Sequence, residues 1–220
     1  MSVLVIAPHH DDEILGVGGT IAKRIAEGQE VFVCVVTTGS SQMYPQTVLQ
    51  QTRDESIQAH DYLGVAKTFY LDYPAAMLEE AKRSELNASL IDLIQEIKPD
   101  EVYIPHRGDM QLDHKLTVDA AMVALRPKYQ HKVKKVLVYE TLSETGWDIP
   151  NITNEFIPNV YTDITEYLDK KLKAMEFFKS QLSVFPNPRS IGAIEALAKY
   201  RGSTVVVDAA EAFMLVREII

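Results

Sequence analysis

Val3-Leu4-Val5-Ile6-Ala7-Pro8-His9-His10-Asp11-Asp12-Glu13-Ile14-Leu15-Gly16-Val17-Gly18-Gly19-Thr20 passes from an unbroken apolar run, through two histidines and three acids, into a glycine-rich amphipathic segment. The apolar run lacks polar alternation, which predicts a strand buried on both faces. The acids and the apolar residues after them predict a helix over 14–27, closed by Gly28. A buried strand feeding a helix through a charged loop is the opening unit of a strand–helix–strand fold.

The rest of the chain extends that unit. Further strands are expected at 31–36, 68–71, 101–105 and 133–139, rich in Val, Ile and Tyr. Helices are expected at 46–62, 85–97 and 114–125, ended by Gly64 or stopped before Pro99 and Pro127. This alternation predicts an α/β fold: a single Rossmann-like domain over 1–220, with a mostly parallel sheet covered by helices on both faces. The last third is less regular. A strand is expected at 159–163, and Asp163 with Glu166 resembles a capping box. Ile164, Leu168, Leu172, Met175 and Phe178 form a helical stripe that reads as core. Residues 183–190, with Pro186 and Pro188, read as a loop, and helices are expected at 191–200 and 209–219.

Composition bounds the function. The chain has 220 residues, 46% hydrophobic and 24% charged, enough for a core of its own. Its net charge of -9 disfavours a nucleic-acid partner. The lone Cys34 lies inside an apolar run and reads as a core residue. No apolar run reaches membrane-spanning length and no basic leader opens the chain, so a cytoplasmic protein without membrane insertion is expected.

In an open α/β sheet of order 3-2-1-4-5, ligands bind beyond the carboxyl ends of the first and fourth strands. The loops there read Pro8-His9-His10-Asp11-Asp12-Glu13 and His106-Arg107-Gly108-Asp109-Met110-Gln111-Leu112-Asp113-His114. They hold the densest clusters of metal-ligand residue types in the chain. A catalytic zinc takes about three protein ligands and keeps one open position. One loop can supply two and the other the third, and mixed imidazole and carboxylate suits zinc better than magnesium. Taken singly, the acids can serve the helix N-terminus and His114 can start its own helix. That does not explain why both clusters fall at the switch point. Gly16-Val17-Gly18-Gly19 is a poor dinucleotide fingerprint, because the third glycine would fall at Ile21 and the acids would repel a pyrophosphate. The glycines read instead as allowing close helix–sheet packing.

The first motif, with Gly16 and Gly18-Gly19-Thr20, resembles the signature of the PIG-L/LmbE-like family of zinc-dependent N-deacetylases. Phe185-Pro186, Pro188-Arg189-Ser190, Arg201-Gly202 and Ala210-Glu211-Ala212-Phe213 resemble a bacterial branch of it. The resemblance implies one zinc ion per chain on His9, Asp12 and His114, with Asp11 as general base and Asp113 as an acid tuning the site. It implies less directly that Arg53 contacts substrate. Two positions depart from the family. His10 stands where a proline is usual, and Gln111 replaces a histidine of the second motif. Glutamine donates a hydrogen bond but supplies no proton at neutral pH, so Asp11 has to carry the proton both from the water and to the leaving nitrogen. His10 either compensates or points to solvent. Arg107, on the second loop, is a candidate for holding an anionic substrate group. Trp147 is a candidate sugar platform or subunit contact, or a partly buried residue. His60 and His131 lie away from both motifs and receive no role.

The resemblance implies removal of an acetyl group from the nitrogen of an amino sugar, free or nucleotide- or lipid-linked, by a homo-oligomer. The alternatives are the same chemistry on a non-sugar amide, such as a thiol conjugate or antibiotic intermediate, and a zinc-binding protein without turnover.

Overall fold

Five parallel strands come from the five apolar runs: β1 (Ser2–Ala7), β2 (Glu30–Gly39), β3 (Lys67–Ala75), β4 (Glu101–Pro105) and β5 (Lys135–Tyr139). The computed structural model describes residues 1–128 and 131–220. Its sheet has seven strands in the order β3-β2-β1-β4-β5-β7-β6, with β6 at Val160–Asp163 and β7 at Ala210–Glu218. The first five follow the 3-2-1-4-5 order expected from the sequence. β7 runs antiparallel to both β5 and β6.

The alternation of side chains along β1 divides the core. Val3 and Val5 face one layer, formed with α1 (Asp12–Ala26), α2 (Gln46–Leu63), α5 (Leu168–Met175) and α6 (Ile191–Ser203). Leu4 and Ile6 face the other, formed with α3 (Arg83–Ile97) and α4 (Leu112–Ala124). Both faces of β1 are therefore dry, which is why its sequence is apolar throughout. No helix among the described residues is long and apolar enough to cross a membrane.

The glycines of α1 permit close packing, as their placement suggested. A Cβ on Gly16 would come within 2.2 Å of the Tyr139 ring, and one on Gly19 within 2.7 Å of Ile164. Between them lies a buried ion pair. Lys171 Nζ donates to Glu211 (2.6 Å) and to the Leu15 carbonyl (2.7 Å), while Glu211 accepts from the amides of Gly19 (2.8 Å) and Thr20 (2.7 Å). Lysine and glutamate thus bond to groups of α1 itself and tie the helix to β7.

Two expectations fail in the last third. Residues 209–219 do not form a helix: they are β7. Ala, Glu, Met and Leu favour helix intrinsically, but the slot between β5 and β6 offers hydrogen-bond partners along both edges, and tertiary context overrides propensity. The Asp163–Glu166 capping box is also absent. Asp163 Oδ1 accepts from the amide (2.9 Å) and hydroxyl (2.6 Å) of Thr165, two residues on, and a short 3-10 turn (Thr165–Tyr167) precedes α5. The α5 helix ends at Met175, so Phe178 joins the core from beyond it.

Candidate active site

β1 and β4 are neighbours, and the chain leaves them in opposite directions across the sheet. The loops after their carboxyl ends therefore face each other, which brings the two histidine–acid clusters together. One ligand atom from each of His9, Asp12 and His114 lies within 4.8 Å of the others. His9 Nδ1 is 3.3 Å from Asp12 Oδ2, and His114 Nε2 is 3.2 Å from the same oxygen.

Carboxylates hold the far side of each imidazole. His9 Nε2 lies 3.0 Å from Asp113 Oδ2, and His114 Nδ1 lies 2.8 Å from Asp109 Oδ2. Asp113 also accepts from the backbone amides of Ala76 (2.6 Å) and Leu78 (3.3 Å), and Asp109 from the Thr145 hydroxyl (2.5 Å). A carboxylate behind a ligating histidine fixes its ring and tautomer and aims the other nitrogen at the ion.

Whether a cation suits this cradle is tested by its unpaired atoms. His114 Nε2 and Asp12 Oδ1 are buried without a hydrogen-bond partner. The 3.2 Å approach of His114 to Asp12 is not directed as a hydrogen bond. Unpartnered buried nitrogen and oxygen converging on one point fit a divalent cation, and the imidazole–carboxylate set suits zinc. The potential agrees. Burial opposes charge on His9, yet its bonds to Asp113 and Asp12 raise its pKa to about 9. His114 is raised to about 10 against its burial by Asp12 and Asp109. Asp12 is likewise buried, but His114 and His9 hold it well below the usual carboxylate range. The carboxylates around the cradle thus favour positive charge at its centre.

Asp11 differs from its neighbour. It precedes α1 with φ 102°, a left-handed backbone that costs a non-glycine residue about 1–3 kcal/mol. Its side chain makes no capping bond, and both carboxylate oxygens are buried without a hydrogen-bond partner. Burial raises its pKa to about 8, opposed by Arg189 and assisted by Asp12 and Glu13. Arg189 Nη1 is 3.8 Å from Asp11 Oδ2 and donates to Gln181 Oε1 at 3.0 Å.

A cavity of about 370 Å³ opens here, lined among others by His9, His10, Asp11, Gln111 and Arg189. A larger groove, about 670 Å³, lies between α2 and α5 and contains none of these residues. Gln111 is exposed at the cavity wall, directly before α4. His10 does not point to solvent. It is 6% exposed, packs 5.4 Å from the Tyr70 ring and leaves both ring nitrogens unpartnered. Burial and the nearby Arg53 lower its pKa to about 3, so it is neutral at ordinary pH. Arg53 lies behind it, 4.1 Å over the Tyr70 ring and 3.0 Å from Asp72, in an adjoining depression.

Arg107 is not among the residues lining the cavity. Its exposed guanidinium is bound by Asp119 at 2.8 Å, because the loop turns it toward α4. Trp147 is 58% exposed, with its Nε1 donating to the Leu142 carbonyl, rather than partly buried. His131 bonds the Pro99 carbonyl, far from the site. His60 is nearer than its position in the sequence suggested: it bonds Glu13 of the first motif at 2.8 Å. Sequence reasoning also passed over Asp109, although it sits in the quoted second loop, and the place of Arg189 beside Asp11. Asp109 is five residues before His114, a spacing that carries no recognisable pattern. Arg189 reaches the site only through the folding back of the 183–190 loop.

Fold and site together define an α/β protein with a candidate cation cradle at its switch point. The model of the PIG-L family, described as GlcNAc-PI de-N-acetylase, matches residues 4–125, and the chain belongs to that family. It is 29% identical over 184 residues to the uncharacterized deacetylase YaiS of Escherichia coli (strain K12), covering 81% of this chain and 90% of that one. To the diacetylchitobiose deacetylase of Thermococcus kodakarensis it is 25% identical over 201 residues, covering 81% and 69%. The crystal structure of a conserved protein from Thermus thermophilus, TT1542, superposes with a TM-score of 0.81 at 25% identity, covering 99% of this chain and 96% of that one.

Proposed function

We propose that residues 1–220 form one hydrolase domain that removes the acetyl group from the nitrogen of an amino sugar. The observation that carries this reading is Asp11: a buried carboxylate with no hydrogen-bond partner on either oxygen, at the cavity, one residue from a three-ligand cradle. Membership of a family described by de-N-acetylation, and likeness to a deacetylase of diacetylchitobiose, support the reaction and the sugar. A cavity of about 370 Å³ has room for a sugar with its acetamido group.

His9, Asp12 and His114 are the residues that would hold the ion, and their chemistry favours zinc. When bound, zinc polarises a carbonyl and makes water more acidic. The chain's own residues do the rest. Asp11 takes a proton from the attacking water as the carbon–oxygen bond forms. It then delivers that proton to the nitrogen as the carbon–nitrogen bond breaks, releasing acetate and the free amine. A carboxyl raised toward neutrality suits both transfers. Asp113 and Asp109 hold the two imidazoles in place. Gln111 donates a hydrogen bond to the oxygen on which charge develops, in place of an acidic histidine. His10, neutral and unpartnered, offers one donor and one acceptor to the substrate, with Arg53 behind it. We place the reaction in the cytoplasm.

An acetate-release screen over N-acetylated sugars, free and nucleotide-linked, with zinc added, tests the reading. Turnover on at least one sugar is expected. Stoichiometric zinc without acetate release on any of them would leave a metal-binding protein and reject the hydrolase.

A further inference from the structure

Asp11 has no hydrogen-bond partner on either carboxylate oxygen and holds a left-handed backbone, φ 102°, that non-glycine residues adopt uncommonly. Such conformations persist only when the surroundings over-determine them. The structure contains a chain of contacts that does so. The Asp11 amide donates to Glu13 Oε2 at 3.2 Å. Glu13 Oε1 lies 2.8 Å from His60 Nε2, and His60 Nδ1 lies 2.8 Å from the Thr68 hydroxyl. The carboxylate can only accept, so Nε2 carries a proton toward Glu13; in the neutral ring Nδ1 then accepts from the Thr68 hydroxyl. Both Glu13 and His60 are buried, at 0% and 2% exposure. The three links belong to α1, α2 and β3, so the turn at Asp11 is braced from two other elements of the fold.

We infer that His60 is a positioning residue, which acts through Glu13 to hold the Asp11 turn so that its carboxylate faces the cavity without a hydrogen-bond partner. His60 touches neither cradle nor cavity. It fixes a backbone amide three bonds removed from the carboxylate carbon that the proposed reaction uses. The inference rests on Asp11 as the proton carrier, but the brace itself can be measured without turnover.

His60→Ala is expected to lower kcat about tenfold to a hundredfold, the range for a small misplacement of a reacting group. KM should stay within about twofold and bound zinc should be unchanged. His60→Gln, whose side-chain amide can still donate to Glu13, should restore most of the loss. Hydrogen exchange at the Asp11 amide supplies the readout besides activity: faster in His60→Ala, close to wild type in His60→Gln. Equal kcat losses in both variants, following their melting temperatures, would overturn the proposal, as would unchanged Asp11 exchange in His60→Ala. Should His60→Ala fail to fold, Thr68→Val removes only the outer bond and must still speed Asp11 exchange; no change there also overturns it. If the wild type releases no acetate from any substrate, the hydrolase reading fails while the exchange experiment still decides whether the brace exists.

Discussion

Helix α1 has a buried charge cluster at its start and another at its middle, and the two are built on opposite rules. At the middle, Lys171 and Glu211 satisfy each other and also bond Leu15, Gly19 and Thr20, which encloses the pair within the protein. At the start, Asp11, Asp12 and His114 keep carboxylate oxygens and a ring nitrogen without a hydrogen-bond partner in equally dry surroundings. Buried charge without partners costs several kcal/mol. On the proposed function, the cluster at the start keeps this cost for a ligand, whereas the one at the middle removes it within the fold. The same helix therefore carries its structural and its proposed catalytic charges about two turns apart.

This contrast can be broken by exchange experiments. The largest effect is expected at the open end. Asp11→Asn removes the proton acceptor and keeps the shape, and asparagine tolerates the left-handed backbone. It should lower kcat about 10²–10⁴-fold with zinc content and melting temperature close to wild type. Asp12→Asn should lose zinc as well, measured by metal analysis after dialysis. Normal turnover in zinc-loaded Asp11→Asn would mean that its free oxygens do no chemistry.

At the closed end the effect should fall on stability alone. Lys171→Met leaves Glu211 buried without its cation and should cost about 3–5 kcal/mol in chemical denaturation. kcat per folded molecule should not change. A catalytic defect without a stability defect would erase the distinction between the two clusters.

A third experiment uses pH on the open cluster. Folded-state values raised above those of the unfolded chain mean that the metal-free fold binds protons more tightly, so its stability falls as pH rises. For His9 and His114 the contribution is complete below about pH 6.5 and is lost as pH passes about 9 and about 10. Asp11 acts with the same sign: its cost grows above the usual carboxylate range and is complete above about 8. A bound ion takes the place of these protons. The difference in melting temperature between zinc-loaded and chelated protein should therefore widen by several degrees between pH 6 and pH 9. A constant difference would show that the cluster does not exchange protons for metal. The smallest effect is expected outside both clusters. Arg107→Ala breaks an exposed pair with Asp119 and should change stability by about 1 kcal/mol or less, leaving kcat and KM as they were.

Much of this was legible from residue order. Doubly buried strands announce themselves as unbroken apolar runs, and alternation with helices implies a mostly parallel sheet, whereas the order 3-2-1-4-5 was one of the orders such alternation allows. The placement of His9, Asp11, Asp12, Asp113 and His114 in two loops at the switch point needed only strand ends and residue types. Arg107 misled for the same reason, since being on the right loop does not set the direction of a side chain. The helix expected at 209–219 failed because local preference is weak beside two waiting sheet edges.

What residue order determined was the class of fold, the two loops that meet, and the residue types available to bind a cation. Each depends on periodicity or on neighbours in the chain, which are local properties. Tertiary structure decided the rest: that Asp109 backs His114, that Arg189 lies beside Asp11, that His60 braces Glu13, and that His10 is buried. Those arrangements rest on contacts only a few ångströms long, and such contacts exist only once packed helices have fixed the distances between them.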